Sequence, residues 1–254
     1  MPLTARILEG APPLIFCAAI DKHNAEHAQA LTARGAEVLE ATAAEIATRF
    51  GVEVVPVAAD ITTEAGRAAV LAAAGPADIL INNAGGPPAG LWSDWGRDDF
   101  LAALEGNLLA PVAMIQALVP GMTERGWGRV VNITSAAVKA PIAQLGLSNT
   151  ARAGLTGFVA GTARQIAGSG VVMNNVLPGI HATDRVITLD GPVAAAKGIS
   201  MAEAAALRAA TIPAGRYGSA GDFGAVCAFL CSQFAGFIIG QNILVDGGAA
   251  NQTI

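Results

Sequence analysis

Three histidines carry the spacing that most directly suggests chemistry. His23 and His27 sit one helical turn apart in His23-Asn24-Ala25-Glu26-His27, the His-x-x-Glu-His form of an inverted zinc-protease motif, and His181 follows Pro178-Gly179. Imidazoles in such a pattern can bind a divalent ion, and imidazole titrates near neutrality without a large shift. A five-residue pattern has many chance matches, so the histidines are read as solvated or core residues and no metal site is expected. The only tyrosine, Tyr217 in Gly215-Arg216-Tyr217-Gly218, precedes a late helix and is read as structural. Cys17, Cys227 and Cys231 are odd in number and embedded in apolar sequence, which favours core packing over a disulfide framework.

Chemistry at any of these places needs elements to position it. Short apolar runs at 13–18, 52–59, 79–82, 129–134, 171–177 and 242–245 read as strands, and Ala- and Leu-rich segments of helical period lie between them. Alternation of this kind implies parallel strands joined by right-handed helical crossovers, with helices on both faces of the sheet. The expected fold class is therefore α/β, a doubly wound Rossmann-like sheet. A chain of 254 residues fits one such domain, spanning 1–254. Ala/Gly-rich residues 191–210 read as a pair of short helices forming a mobile lid over the site.

Composition limits the partners. A net charge of −5, with Lys and Arg scattered singly, provides no basic patch for nucleic acid or anionic lipid. Neither a transmembrane helix nor a signal peptide is expected, which points to the cytoplasm. Hydrophobic residues make up 53% of the chain and charged residues 14%, so some apolar helix surface is expected to be covered by other subunits.

Five ordered segments then point to a family. They are Asn82-Asn83-Ala84-Gly85, Asn107 within Glu105-Gly106-Asn107-Leu108, Val131-Asn132-Ile133-Thr134-Ser135, Pro178-Gly179, and Gly240 to Gly248. In order and spacing the chain resembles the short-chain dehydrogenases/reductases, and in particular the 3-oxoacyl-carrier-protein reductase branch. The resemblance implies roles. Asn82, Ala84 and Gly85 would make room for an adenosine ribose, and Asp60 would meet the adenine ring. Pro178, Gly179 and Thr183 would touch the nicotinamide end, and Asn107 would hold a water of the proton relay.

The chain departs from the family pattern in three places. A dinucleotide needs a glycine-rich turn between the first strand and helix, so that backbone N–H groups can approach the pyrophosphate. Here Lys22 and Asn24 stand where the last two glycines belong, with Asp21 beside them. The second strand, starting at Gly35-Ala36-Glu37-Val38, is short because residues 39–46 already read as the next helix. Family reductases also pair Ser with Tyr thirteen residues on and Lys four after that. Counting from Ser135 places Ser148 and Arg152 at those positions. Ser135, Ser148 and Arg152 could instead bind an oxyanion or carboxylate through charge-assisted hydrogen bonds. The halohydrin dehalogenases, which are similar to this family, use Ser, Tyr and Arg beside an anion pocket.

These departures lead to the expectation of a non-catalytic subunit that needs no cofactor of its own. It would partner an active NAD-dependent paralogue, or itself, in a tetrameric hydroxyacyl dehydrogenase complex that could admit acyl-CoA. Two alternatives stand beside it: a cofactor-independent, non-redox enzyme using Asn107, Ser135, Ser148, Arg152 and His181, and an NAD(P)-dependent carbonyl reductase with an atypical site.

Overall fold

Strands form where the apolar runs fall. The structure is a computed structural model that describes residues 15–18, 37, 39–49, 51 and 54–252. Strands β1 (Ile15–Ala18), β2 (Ile79–Asn82), β3 (Gly128–Ile133), β4 (Val171–Pro178) and β5 (Asn242–Val245) lie side by side in chain order. All four pairings are parallel, with Ala18 opposite Asn82, Asn82 opposite Asn132, Asn132 opposite Asn175, and Asn175 opposite Asn242.

The intervening segments are helical. They are α1 (39–49), α2 (Glu64–Ala74), α3 (Arg97–Leu104), α4 (Ala110–Glu124), α5 (Gly146–Ile166), α6 (Asp184–Lys197), α7 (Met201–Ala209) and α8 (Ala220–Leu230). Because side chains alternate across a strand, successive residues feed two separate cores. Leu80, Val130 and Met173 pack with Met114 and Leu118 of α4 and Leu155 and Val159 of α5. Ile79, Val131 and Val176 pack on the other face with Cys227 and Leu230 of α8 and with Cys231. Cys227 and Cys231 are thus buried in the core and form no disulfide, as the sequence implies, while the side chain of Cys17 lies outside the described residues. Helices on both faces of a parallel sheet make this a Rossmann-like α/β fold.

Two strand expectations are corrected. Residues 54–59 of the expected strand 52–59 join no ladder, and Val55 is 58% exposed. Val57 and Ala59 pack against the core, but a parallel strand at that edge needs a second strand beside β1 to pair with. Glu37, expected in that second strand, is helical, and the remainder of its start lies outside the described residues. The part of a doubly wound sheet that turns back past β1 therefore contributes no strand among the described residues.

The lid reading corresponds to the pair α6 and α7, joined by a turn at Gly198, where a positive φ of 62° suits glycine. By length and composition the run Arg97–Glu124 could cross a membrane, but half of it is buried in the fold, as in the core helix of a globular domain.

Candidate active site

The residues singled out by resemblance gather at the carboxyl ends of the strands, the edge where open α/β sheets bind ligands. Beneath that edge runs a row of asparagine amides. Asn82 Nδ2 donates to Asn132 Oδ1 at 2.8 Å, Asn132 Nδ2 to Asn175 Oδ1 at 3.2 Å, and Asn175 Nδ2 to Asn242 Oδ1 at 2.7 Å. Asparagine is disfavoured in strands and costly to bury unpaired, so the row holds by pairing its members to one another. It leaves one end open, since buried Asn82 Oδ1 has no partner among the described residues.

Asn107 lies in a single π-helical turn, Glu105–Leu109, inserted between α3 and α4. Such turns break the regular backbone ladder and frequently mark functional sites. Its Nδ2 donates to Ala103 O at 3.4 Å, and its buried Oδ1 has no partner among the described residues. Ser135 caps the short turn Ala136–Val138, its Oγ accepting from Ala137 N at 3.1 Å. The hydroxyl hydrogen can therefore be donated onward. The same turn packs against α5, whose first turns carry buried Ser148 and Arg152.

The Arg152 guanidinium reaches main-chain carbonyls of the β2 and β3 ends. Its Nη1 donates to Ile133 O and Thr134 O, both at 2.8 Å, and its Nη2 to Ala84 O at 3.1 Å. Three of the five N–H groups of a guanidinium are thus directed at main-chain carbonyls.

At the β4 end, Gly179 N donates to Val245 O at 2.9 Å, and a Cβ at position 179 would stand 2.6 Å from Asp246 Cβ. Only glycine allows this approach of the loop after β4 to the end of β5. Pro178 ends β4, and exposed Thr183 precedes α6 without a side-chain cap bond. Asp60 lies in the turn before α2: its Oδ1 accepts from Thr62 N at 2.9 Å and Thr62 Oγ1 at 2.7 Å, forming an Asx-turn. Exposed Gly85 and half-buried Ala84 lead out of β2.

His181 packs edge-on against Phe223 at 5.3 Å, with Nδ1 3.2 Å from Gly179 O. It borders a cavity of about 330 Å³ shared with Arg216, Asp222 and Asp246. Tyr217 proves structural, because its hydroxyl donates to buried Asp190 of α6 at 3.1 Å while Arg208 Nε of α7 donates to the same carboxylate at 2.6 Å. Loss of water contact and the adjoining carboxylate both raise the Tyr217 phenol above its ordinary pKa. Asp21, Lys22, His23, Asn24 and His27 lie outside the described residues, and no metal-binding cluster occurs among the described ones.

Sequence reasoning missed the amide row and the Asp190 clasp. The row had a partial signal, an asparagine within each of the last four apolar runs but at a different offset in each. The clasp had none, because its three residues come from separate elements.

A parallel sheet flanked by helices, with these segments at the carboxyl ends of its strands, defines a Rossmann-like α/β protein. A family profile described as enoyl-(acyl carrier protein) reductase matches residues 16–250, and the chain belongs to the short-chain dehydrogenase/reductase family. The chain is 36% identical to acetoacetyl-CoA reductase of Cupriavidus necator over 68% of its own length and 66% of that protein, just under two thirds. It is 32% identical to 3-oxoacyl-acyl-carrier-protein reductase FabG of Salmonella typhimurium, over 87% of this chain and 90% of that one. L-sorbose reductase from Gluconobacter frateurii, solved with NADPH and L-sorbose, superposes with a TM-score of 0.83 at 25% identity, covering 98% and 90% of the two chains. An actinorhodin polyketide ketoreductase solved with NADPH does so with a TM-score of 0.78 at 26% identity, covering 98% and 92%.

These likenesses correct two expectations. The reading as a non-catalytic subunit is overturned, because the relatives are reductases along most of the chain. The expectation that the chain needs no cofactor falls with it, since the solved neighbours hold NADPH. Both rested on the turn at 19–24, the shortened second strand and the replacement of the relay Tyr and Lys by Ser148 and Arg152, whereas the strand ends, the π turn and Ser135 keep the architecture of a ligand-binding edge. That edge fits a dinucleotide: Asn82 Oδ1, Asn107 Oδ1 and Thr134 Oγ1 are buried acceptors with no partner among the described residues. Buried polar atoms of this kind call for a ligand or ordered water.

Proposed function

We propose that the protein is an NAD(P)-dependent reductase of carbonyl substrates, with 3-oxoacyl thioesters as the substrate class and an altered proton relay. The reading is carried by likeness to thioester reductases along most of the chain, joined to a Ser135 hydroxyl poised to donate at the strand edge.

A nicotinamide dinucleotide, held beside Asn82, Ala84, Gly85 and the loop after β4, would supply hydride for the carbonyl carbon. Ser135 donates a hydrogen bond to the carbonyl oxygen and so favours the negative charge that develops there. Ser148 presents a second hydroxyl from the helix packed beside that turn. Neither serine is acidic enough to release a proton as a phenol would, and a guanidinium stays charged, so the proton is taken from water. Asn82 and Asn107 offer buried acceptors for the ribose hydroxyls or for that water.

A second copy of this chain is the proposed partner, acting with it in the cytoplasm. Phe234 and Phe237, 76% and 99% exposed beside α8 and β5, and Leu101 and Leu109 on the Arg97–Glu124 run present apolar surface for self-association.

Titrating the purified protein with NADPH and NADH while following nicotinamide fluorescence tests cofactor use. Oxidation of the bound dinucleotide on adding acetoacetyl-CoA tests the reaction. Saturable fluorescence and turnover are expected, and the absence of both would overturn the proposal.

A further inference from the structure

We infer that Arg152 is a positioning residue that fixes the gap between the loop after β2 and the end of β3, and thereby sets where dinucleotide and carbonyl meet. The inference rests on the reductase reading. Asn82 and Asn132 are opposite one another in register and share the face covered by α4 and α5. Two residues on, at 84 and 134, the same face continues, but β2 has ended at Asn82 and β3 at Ile133. No ladder bond joins the strands there.

Arg152 supplies the missing tie, with Nη2 on Ala84 O at 3.1 Å and Nη1 on Ile133 O and Thr134 O at 2.8 Å each. It forms one more rung above the amide row, where parallel strands diverge to open the crevice. Ala84 and Gly85 lie on one side of that tie and Ser135 on the other, so the nucleotide wall and the carbonyl donor are spaced by a single side chain.

The chemistry of the group suits this task. A guanidinium is planar, with N–H groups fixed in a fork, so it can meet carbonyls on two segments at once without further ordering. An ammonium is a flexible point donor and does not impose a spacing. Arg152 is 7% exposed, so water cannot readily substitute for it. A guanidinium exchanges no proton near neutrality, and Arg152 therefore acts through Ser135 and the loop after β2 rather than on the reacting atoms.

The test compares Arg152→Lys and Arg152→Met with the parent protein. In ligand-free protein, amide exchange at 84–86 and 135–137 is expected to quicken in both variants while the β3–β4 ladder stays protected. Dissociation constants for NADPH, read from nicotinamide fluorescence, are expected to rise about tenfold in both. Turnover should fall with no change in the shape of its pH profile. Parent-like exchange and NADPH affinity in Arg152→Lys would overturn the inference, as would a new pH limb in that variant. Should Arg152→Met fail to fold, Arg152→Lys alone decides. If the parent itself binds no NADPH, the reductase reading fails, whereas the exchange comparison still judges the tie.

Discussion

The two ends of β3 each carry a buried guanidinium held by backbone carbonyls, yet they serve different ends. At the amino end, Arg129 donates from Nε to Ser232 O at 2.9 Å and from Nη1 to Gly128 O at 2.8 Å and Gly170 O at 3.3 Å, with its guanidinium 4.6 Å from the Trp127 ring centre. Burial lowers its pKa from the ordinary value, and it joins segments that close the bottom of the sheet. At the carboxyl end, Arg152 makes a similar set of bonds, but its carbonyls belong to segments that border the crevice. The same device thus stabilises the fold at one end of a strand and spaces a reaction site at the other.

Ser135, at the carboxyl end, should show the largest effect. Removing one donor from a site of developing negative charge costs about 100- to 1,000-fold in turnover. Ser135→Ala is therefore expected to lower kcat for acetoacetyl-CoA by that amount with little change in melting temperature. A variant of unchanged turnover would remove the functional half of the comparison.

Arg129→Ala tests the other half. It leaves buried carbonyls unpaired and opens a cavity beside Trp127, and it should cost about 3 kcal/mol in chemical denaturation. NADPH affinity of the folded protein should be unchanged. A large loss of affinity would show that the two ends are coupled.

Asn132 lies between them, and its variant sharpens the contrast. Asn132→Leu leaves Asn82 Nδ2 and Asn175 Oδ1 unpaired, which should cost about 2 kcal/mol of stability. It should also weaken NADPH binding, because Asn82 loses its orientation. Denaturation and fluorescence titration of the same preparation separate the two effects.

How much of this was legible in the sequence follows from what each feature depends on. Strands β2 and β5 were readable to the residue, because polar and turn residues bound each short apolar run, Asp78 and Asn83 around β2 and Gln241 and Asp246 around β5. Residues 54–59 misled, because an apolar run becomes a strand only where a neighbour offers a ladder. Ser135, Asn107 and Gly179 could be placed from motifs whose spacing the fold enforces. The direction of the Arg152 side chain could not, since spacing gives its position on α5 but not the carbonyls it meets. The clasp of Asp190, Arg208 and Tyr217 depends on how α6, α7 and the turn before α8 pack, and no local pattern encodes that.

That clasp gives the smallest effect and concerns the α6–α7 pair, away from both ends of β3. Because the folded-state pKa of Tyr217 lies above its unfolded value, the phenol contributes stability that is fully present below the unfolded value of about 10. The contribution is lost as pH rises through the folded value, since the unfolded chain then holds fewer protons than the folded one. Tyr217→Phe removes a hydrogen bond to Asp190 and should cost about 1 kcal/mol at neutral pH. In the variant, the fall in stability above about pH 10 should become shallower, as read by thermal melts across that range. An equally steep alkaline fall would assign it to other groups, and would leave the α6–α7 pair without the titrating anchor that sets it apart from the guanidinium ties of β3.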